Sequence, residues 1–315
     1  MSNVKRGLVV TGLVVMGAIA QALTWQFALH PIPVTASTPP QLTPAAADSL
    51  SQFAPATQSS IPDALGISGN PGSGADEARG VIGRDERTAV LSTSYPWSAV
   101  GRIFGVTPED DTYICTGTLI GADIVLTNAH CVIDPNTGEL AQRVEFQPNL
   151  IEGAVADAED IAYGVDVLYG TDFSDVEGPP HPDDWALILL DRPLGEKYGI
   201  IAMQPFDTAE LAESPFEASL AMVGYSADYP ETGPGETASA HVNCSITEEQ
   251  DDVVYHLCDT FGGASGGPIL AVIEDEIGIV ALNSAQLTNR HGEGLVNYAV
   301  KIPRVLEQLE ALGAM

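Results

Sequence analysis

From Gly80 onward, short apolar or alternating runs recur between clusters of Gly, Pro, Asp and Asn: SAVGRIF, CTGTLIGADIVLTN, RVEFQ, WALILL, ASLAMVGY, ILAVIE, IGIVALN and NYAVKI. Runs of this length suit half-buried or fully buried strands, and many of them so closely spaced predict an all-β barrel or sandwich. One segment has a different period. In PRVLEQLEALG the apolar Val305, Leu306, Leu309 and Leu312 fall at helical intervals, with Pro303 at the start and Gly313 at the end, which predicts a C-terminal helix.

The pattern before Gly80 is unlike this. Lys5 and Arg6 precede an uncharged run from Gly7 to Leu29, the layout of a secretory signal, with Ala20-Gln21-Ala22 as a small-residue cleavage site. The run is also long enough to span a bilayer, so residues 1–29 read as a signal peptide or as a retained membrane anchor. Both readings keep Lys5 and Arg6 inside and export the rest, and the next basic residue is Arg79. Residues 30–79 are rich in Pro, Ser, Ala, Thr and Gly and lack a sustained apolar period, so a disordered linker or pro-segment is expected there. The folded domain is expected over residues 80–315.

Charge narrows the choice of partners. Forty-three acidic residues against twelve basic ones give a formal charge of −31, which excludes the basic patch that nucleic acid or an anionic membrane face requires. A membrane contact is expected only if the N-terminal run is kept as an anchor. The acidic clusters Asp157–Asp160 and Glu248–Asp252 suggest a structural calcium ion, but neither has the oxygen-ligand spacing of a calcium loop. Cys115, Cys131, Cys244 and Cys258 all lie in the folded part, and an even count in an exported chain predicts two disulfides with three pairings open. No C-x-x-C or zinc-type histidine spacing occurs, so no metal site is expected.

The candidate chemistry starts in CDTFGGASGGPIL, where a single serine, Ser265, sits among four glycines and an alanine. Glycine costs backbone entropy, so the cluster is either a loose loop or a place where the backbone must come close to something. A serine hydroxyl is a weak nucleophile until a base takes its proton. The exported part holds His130, His181, His241, His256 and His291; His130 ends an apolar run in VLTNAHCV. A carboxylate must orient such an imidazole, and Asp184 opens the buried run DWALILL. Each fragment alone has an ordinary structural explanation as a turn, a loop or a solvated histidine.

Together, TNAHC, DWALILL and GGASGGP resemble, in this order, the His, Asp and Ser segments of the chymotrypsin-like (trypsin-like) serine peptidases. The segments VIGRDERTAVLSTSYPWSAVGRI (Val81 to Ile103) and VGYSAD (Val223 to Asp228) resemble the bacterial branch that includes the glutamyl endopeptidases. The resemblance runs from about Gly80 to Val305. It implies an all-β fold of two packed six-stranded antiparallel barrels, about 80–195 and 196–302, followed by a C-terminal helix. It implies an exported serine endopeptidase acting on proteins or peptides without a cofactor, with His130 as base, Asp184 as orienting acid and Ser265 as nucleophile. Asp183 is the weaker candidate for the acid. The N–H groups of Gly263 and Ser265 would form the oxyanion hole, Cys115 would pair with Cys131, and Cys244 with Cys258.

The chain also departs from that family. Ala264 stands where the trypsin branch has an aspartate that pairs with a freed amino terminus, although Arg79-Gly80-Val81-Ile82-Gly83 resembles an activation junction. Removal of the segment up to about Arg79 is therefore expected without that ion pair. Asp259, six residues before Ser265, stands where trypsins place the acid that binds Arg or Lys, so a basic residue before the cut bond is expected. Thr260, Val280, Asn283 and Val296 complete the expected specificity pocket; Val280 takes the place expected for the histidine of glutamyl endopeptidases. Two rival readings exist. Gly263-Ala264-Ser265-Gly266-Gly267 matches an α/β-hydrolase elbow with Asp275 and His291 downstream, but Gly266-Gly267-Pro268 forbids the helix that must follow. The other is a catalytically silent, protease-like binding module.

Overall fold

The computed structural model describes residues 38–66, 81–174, 179–206, 220–290 and 294–315. The Gly7–Leu29 run, the Arg79–Gly80 junction and His291 lie outside the described residues. The chain divides into two compact units at Thr38 and Pro39, and everything below concerns the second, Pro39–Met315.

Six strands form the first layer: β3 (Val100–Val106), β4 (Thr112–Leu119), β5 (Ile124–Thr127), β6 (Arg143–Pro148), β7 (Ala162–Tyr169) and β8 (Ala186–Leu190). They pair antiparallel in the order β7-β6-β3-β4-β5-β8, and β8 pairs back onto β7, so the sheet closes into a barrel. Closure explains the composition of β8. A strand paired on both sides and covered on both faces reads as an unbroken apolar run, and all five residues of ALILL are buried. Ile103, Leu119, Leu126, Phe146, Leu187 and Ile188 are fully enclosed in its core, each worth about 2 kcal/mol of apolar burial.

The second sheet holds β9 (Leu220–Gly224), β10 (Ser239–Cys244), β11 (Ile246–Gln250), β12 (Val253–His256), β13 (Pro268–Ile273), β14 (Glu276–Thr288) and β15 (Gly294–Lys301). With β2 (Thr88–Ala89) it forms an eight-stranded antiparallel series, β11-β12-β15-β14-β13-β9-β10-β2, whose described pairings run open from end to end. The N-terminal residues therefore extend the second sheet: β2 pairs with Ser239 and Ala240 before the chain enters the first barrel.

A short helix, α1 (Gly195–Tyr198), follows the first barrel, and the C-terminal helix α2 spans Ile302–Leu312. As expected from its period, α2 buries Val305 and Leu309, has proline in its first turn and ends at Gly313 in a left-handed cap. Leu312 differs from the expectation; it is exposed, and Ala314 just after the helix is buried in the core instead.

The expected disordered linker, residues 30–79, needs correction over residues 38–66. This stretch lies against the first barrel as a strap: β1 (Thr43–Pro44) pairs parallel with Asp166 and Val167 of β7. Ser60 exchanges main-chain hydrogen bonds with Ile200 at 2.9 Å each way. Phe53 is fully buried and Leu42 nearly so. The segment is too poor in large apolar residues to make a core of its own, but two such side chains suffice when another element supplies the rest of the core.

Candidate active site

Three segments from both sheets meet at one place. After β5 the chain makes a single 3-10 turn, Ala129–Cys131, which carries His130. The Cys115–Cys131 disulfide ties that turn to β4, as the resemblance implied, and Cys244–Cys258 closes likewise in the second sheet. Just before β8, Asp184 is buried at 4 % exposure. Its Oδ2 lies 2.8 Å from His130 Nδ1, and its Oδ1 accepts the His130 backbone N–H at 3.0 Å. Asn128 Nδ2 donates to the Asp184 main-chain oxygen at 2.7 Å. The imidazole is thus fixed by both carboxylate oxygens.

Asp183 is turned elsewhere. Arg304 of α2 holds its carboxylate at 2.7 Å, and the Trp185 indole N–H donates to Gln308 of the same helix. The C-terminal helix so grips the residues on either side of Asp184. Burial pushes the Asp184 pKa up, but the His130 charge and hydrogen bond, with help from Ser284, outweigh it and leave the carboxyl below its usual range. For His130, burial pushes down and the Asp184 charge and hydrogen bond push up; the net position is above the ordinary imidazole value.

No motif in the sequence points to Ser284. Its hydroxyl donates to Asp184 Oδ2 at 2.7 Å, and its carbonyl accepts the Ser265 hydroxyl at 3.4 Å. One residue therefore touches both the acid and the serine. In this conformation the Ser265 hydroxyl faces that carbonyl rather than the imidazole. The Ser265 carbonyl accepts Thr116 N–H of β4 at 2.8 Å and lies 3.8 Å from Cys131 Sγ, beside the residue that precedes it, His130.

The glycine cluster is a close approach, not a loose loop. Gly263 and Gly266 have φ of +99° and +78°. A Cβ on Gly263 would come 2.4 Å from the Tyr225 carbonyl, and one on Gly266 would come 2.2 Å from Thr127 Oγ1. The turn is pressed between the two sheets, and Thr116 Oγ1 bonds the Gly263 carbonyl at 3.0 Å from the first barrel. Among the described residues, the N–H groups of Ala264, Gly266 and Gly267 donate to main-chain carbonyls, whereas those of Gly263 and Ser265 do not. Ala264 is fully buried against Gly224, where an added Cβ would meet the Ala264 Cβ at 2.6 Å, so residue 224 has no room for a side chain.

The expected specificity pocket is brought together only in part. Thr260 and Asn283 meet at 3.3 Å, and Asn283 Nδ2 also donates to the Ala264 carbonyl at 3.0 Å. Val280 requires correction: it is fully buried in the core of the second sheet with Cys244, Cys258 and Ala281. Asn283, directly before Ser284, is the expected pocket residue that meets Thr260. Val296 is half-buried on β15, opposite Leu287. Asp259 also requires correction as an acid for a substrate cation. Its two oxygens each accept a main-chain N–H at 2.9 Å, one from Ile82 and the other from Glu86, and the residue is 2 % exposed. A carboxylate so engaged is not offered to a substrate side chain.

A cavity of about 450 Å³ opens beside the imidazole, lined by His130, Asp184, Ser284 and Ala285 on one side and by Phe173 and His181 on the other. Both acidic clusters have partners in the fold: Asp157 caps the Glu159 N–H, Asp160 takes Lys197 and Tyr198, and in the second cluster Glu249 takes Lys301.

A closed antiparallel barrel beside a second antiparallel sheet, with histidine, aspartate and serine segments meeting between them, defines the architecture of a chymotrypsin-like serine endopeptidase. The chain belongs to the trypsin-like peptidase domain family, whose model matches residues 115–279, just over half its length. It is 26 % identical over 195 residues to a glutamyl endopeptidase of Bacillus licheniformis, covering 61 % of this chain and 54 % of that protein. It is 26 % identical over 201 residues to a protein of Bacillus subtilis named extracellular metalloprotease, covering 60 % and 56 %. The chain thus spans about half the length of the curated relatives it matches. Among solved structures, a Glu endopeptidase in complex with MPD superposes with a TM-score of 0.59 at 21 % identity, covering 74 % of this chain and 99 % of that one. A protease of Arthrobacter nicotinovorans superposes with a TM-score of 0.55 at 18 % identity, covering 73 % and 100 %. Likenesses at that identity bear on the fold.

Proposed function

We propose that the chain is an exported endopeptidase in which Ser265 attacks the scissile carbonyl, His130 takes its proton and Asp184 holds the imidazole. The observation that carries this reading is the pair of contacts from Asp184 to His130, one to the ring Nδ1 and one to the backbone N–H. The first fixes the tautomer, leaving Nε2 unprotonated as the base; the second fixes where the ring stands. Rotation of Ser265 about its Cα–Cβ bond exchanges the Ser284 carbonyl for the imidazole, and unliganded sites commonly show such loose nucleophile geometry. His130 then returns the proton to the leaving amine, and water releases the acyl group from Ser265. The Gly263 and Ser265 N–H groups supply the oxyanion donors, worth about 3 kcal/mol of barrier each.

Export rests on the basic-then-apolar N-terminus, on two disulfides, and on the extracellular name of one relative. That relative's name also includes a metal, but the donor set here does not fit one. Cys115, His130 and Cys131 are the close cluster of ligand atoms among the described residues, and the two sulfurs are bonded to each other. With Asp259 engaged, the residue before the cut meets neutral groups, Thr260 and Asn283, and a preference for Arg or Lys loses its physical basis. Processing near Arg79 remains part of the proposal; an active enzyme whose terminus lies near residue 23 or 30 would count against it.

The test is labelling with a serine-directed fluorophosphonate alongside hydrolysis of a peptide library. Labelling and cleavage that both vanish in Ser265→Ala support the proposal. A folded, unlabelled and inactive protein means the silent binding module instead.

A further inference from the structure

We infer that Asp259 is a positioning residue that ties the Val81–Arg87 segment to the nucleophile turn, so that docking of this segment organises the oxyanion donors. The inference rests on the reading of Ser265 as nucleophile. Asp259 is nearly enclosed, and its oxygens accept two backbone N–H groups 177 and 173 residues away in sequence, Ile82 and Glu86, each at 2.9 Å; His241 Nδ1 also lies 3.2 Å from Oδ2, but it accepts the Asp259 N–H and so has no proton to give the carboxylate. A buried carboxylate is costly unless its oxygens are bonded, so the chain at Ile82–Glu86 is what makes this side chain tolerable. The same segment is anchored again at Arg87, a buried guanidinium shared between Asp85 at 2.8 Å and Asp228 at 2.9 Å and stacked 5.0 Å from the Tyr229 ring. On the other side of Asp259, its own N–H donates to His241 Nδ1 at 2.8 Å, and that ring's Nε2 lies 3.6 Å from Glu86.

The path onward to the turn is short. Thr260, next to Asp259, meets Asn283 Nδ2, which also holds the Ala264 carbonyl. The Asn283 main chain accepts Gly266 N–H at 2.8 Å and donates to the Gly267 carbonyl at 2.9 Å. Residues on both sides of Ser265 thus rest on Asn283, and Asn283 meets Thr260 in the loop that Asp259 pins. Withdrawal of the Ile82 and Glu86 donors leaves an unsatisfied buried charge at the base of this arrangement, which is relieved by moving the 258–264 loop. That movement misaims the Gly263 and Ser265 N–H groups, which act on the transition state rather than on the bound substrate.

The experiment compares wild type with Asp259→Asn on peptides bearing Arg, Glu or Ala before the cut, after a thermal melt shows that both are folded. The expected result is a kcat lowered at least tenfold, equally for all three peptides, with KM within about twofold and a matching fall in the fluorophosphonate labelling rate. A loss confined to the Arg peptide and expressed in KM means a substrate-binding acid and overturns the inference, as does an unchanged kcat. If Asp259→Asn fails to fold, Glu86→Pro decides, since it removes one donor at an exposed side chain. A uniform fall in kcat supports the inference, and an unchanged kcat overturns it. Wild type that neither labels nor cleaves means that the Ser265 reading has failed instead.

Discussion

The Ser284 hydroxyl donates to Asp184 at 2.7 Å, on the same carboxylate oxygen that faces His130 Nδ1. Asp184 therefore has partners on both oxygens and no freedom to rotate. Ser284→Ala removes one hydrogen bond to a charged acceptor, worth about 1.5–3 kcal/mol in a buried site. We expect kcat/KM to fall about tenfold with the fold intact, read by peptide hydrolysis and a thermal melt. Wild-type activity in the variant would show that the contact does not matter.

The pH dependence follows from the opposing effects on His130. Its neutral form is the base, so activity rises with pH through the imidazole titration, and the net upward shift places that limb above the ordinary value of 6.5. Asp184→Asn removes the two upward contributions and leaves burial, so the limb moves to lower pH. The rate falls about 10⁴-fold because the tautomer is no longer enforced. A full pH–rate profile of both proteins checks the order of the two midpoints.

His256 governs stability rather than catalysis. It is fully buried, and burial pushes its pKa down to about 4; Asn283 and the Tyr298 main chain offset part of this, and His241 adds to the fall. The unfolded chain binds this proton near pH 6.5 and the folded one only near 4, so stability is complete above 6.5 and is lost as pH falls between these values. Replacement by leucine removes this loss. Relative to wild type, His256→Leu is expected to gain about 2–3 kcal/mol on going from pH 7.5 to 4.5 in urea unfolding. A constant difference between the two proteins would refute the assignment.

Phe53 distinguishes a strap from a linker. Fully enclosed against the first barrel, it should cost about 3–5 kcal/mol when changed to alanine. Were residues 39–66 an unstructured connection, the same change would stay within about 0.5 kcal/mol. Urea unfolding of Phe53→Ala separates the two.

The amino-acid sequence determined what depends on local chemistry: the strand periods, the helix with its proline start and glycine end, and the three segments around His130, Asp184 and Ser265. Asp184 rather than Asp183 followed from its place before the apolar run. Tertiary structure decided what depends on partners far along the chain. Asp259 and a free carboxylate look alike until Ile82 and Glu86 arrive. Val280 leaves the expected pocket because it is buried in the core of the second sheet, most of whose other members lie far along the chain. Phe53 looks like one aromatic residue in a proline-rich stretch, because the core that buries it is encoded elsewhere. Periodicity is a property of neighbours in sequence, whereas burial and hydrogen-bond completion are properties of neighbours in space.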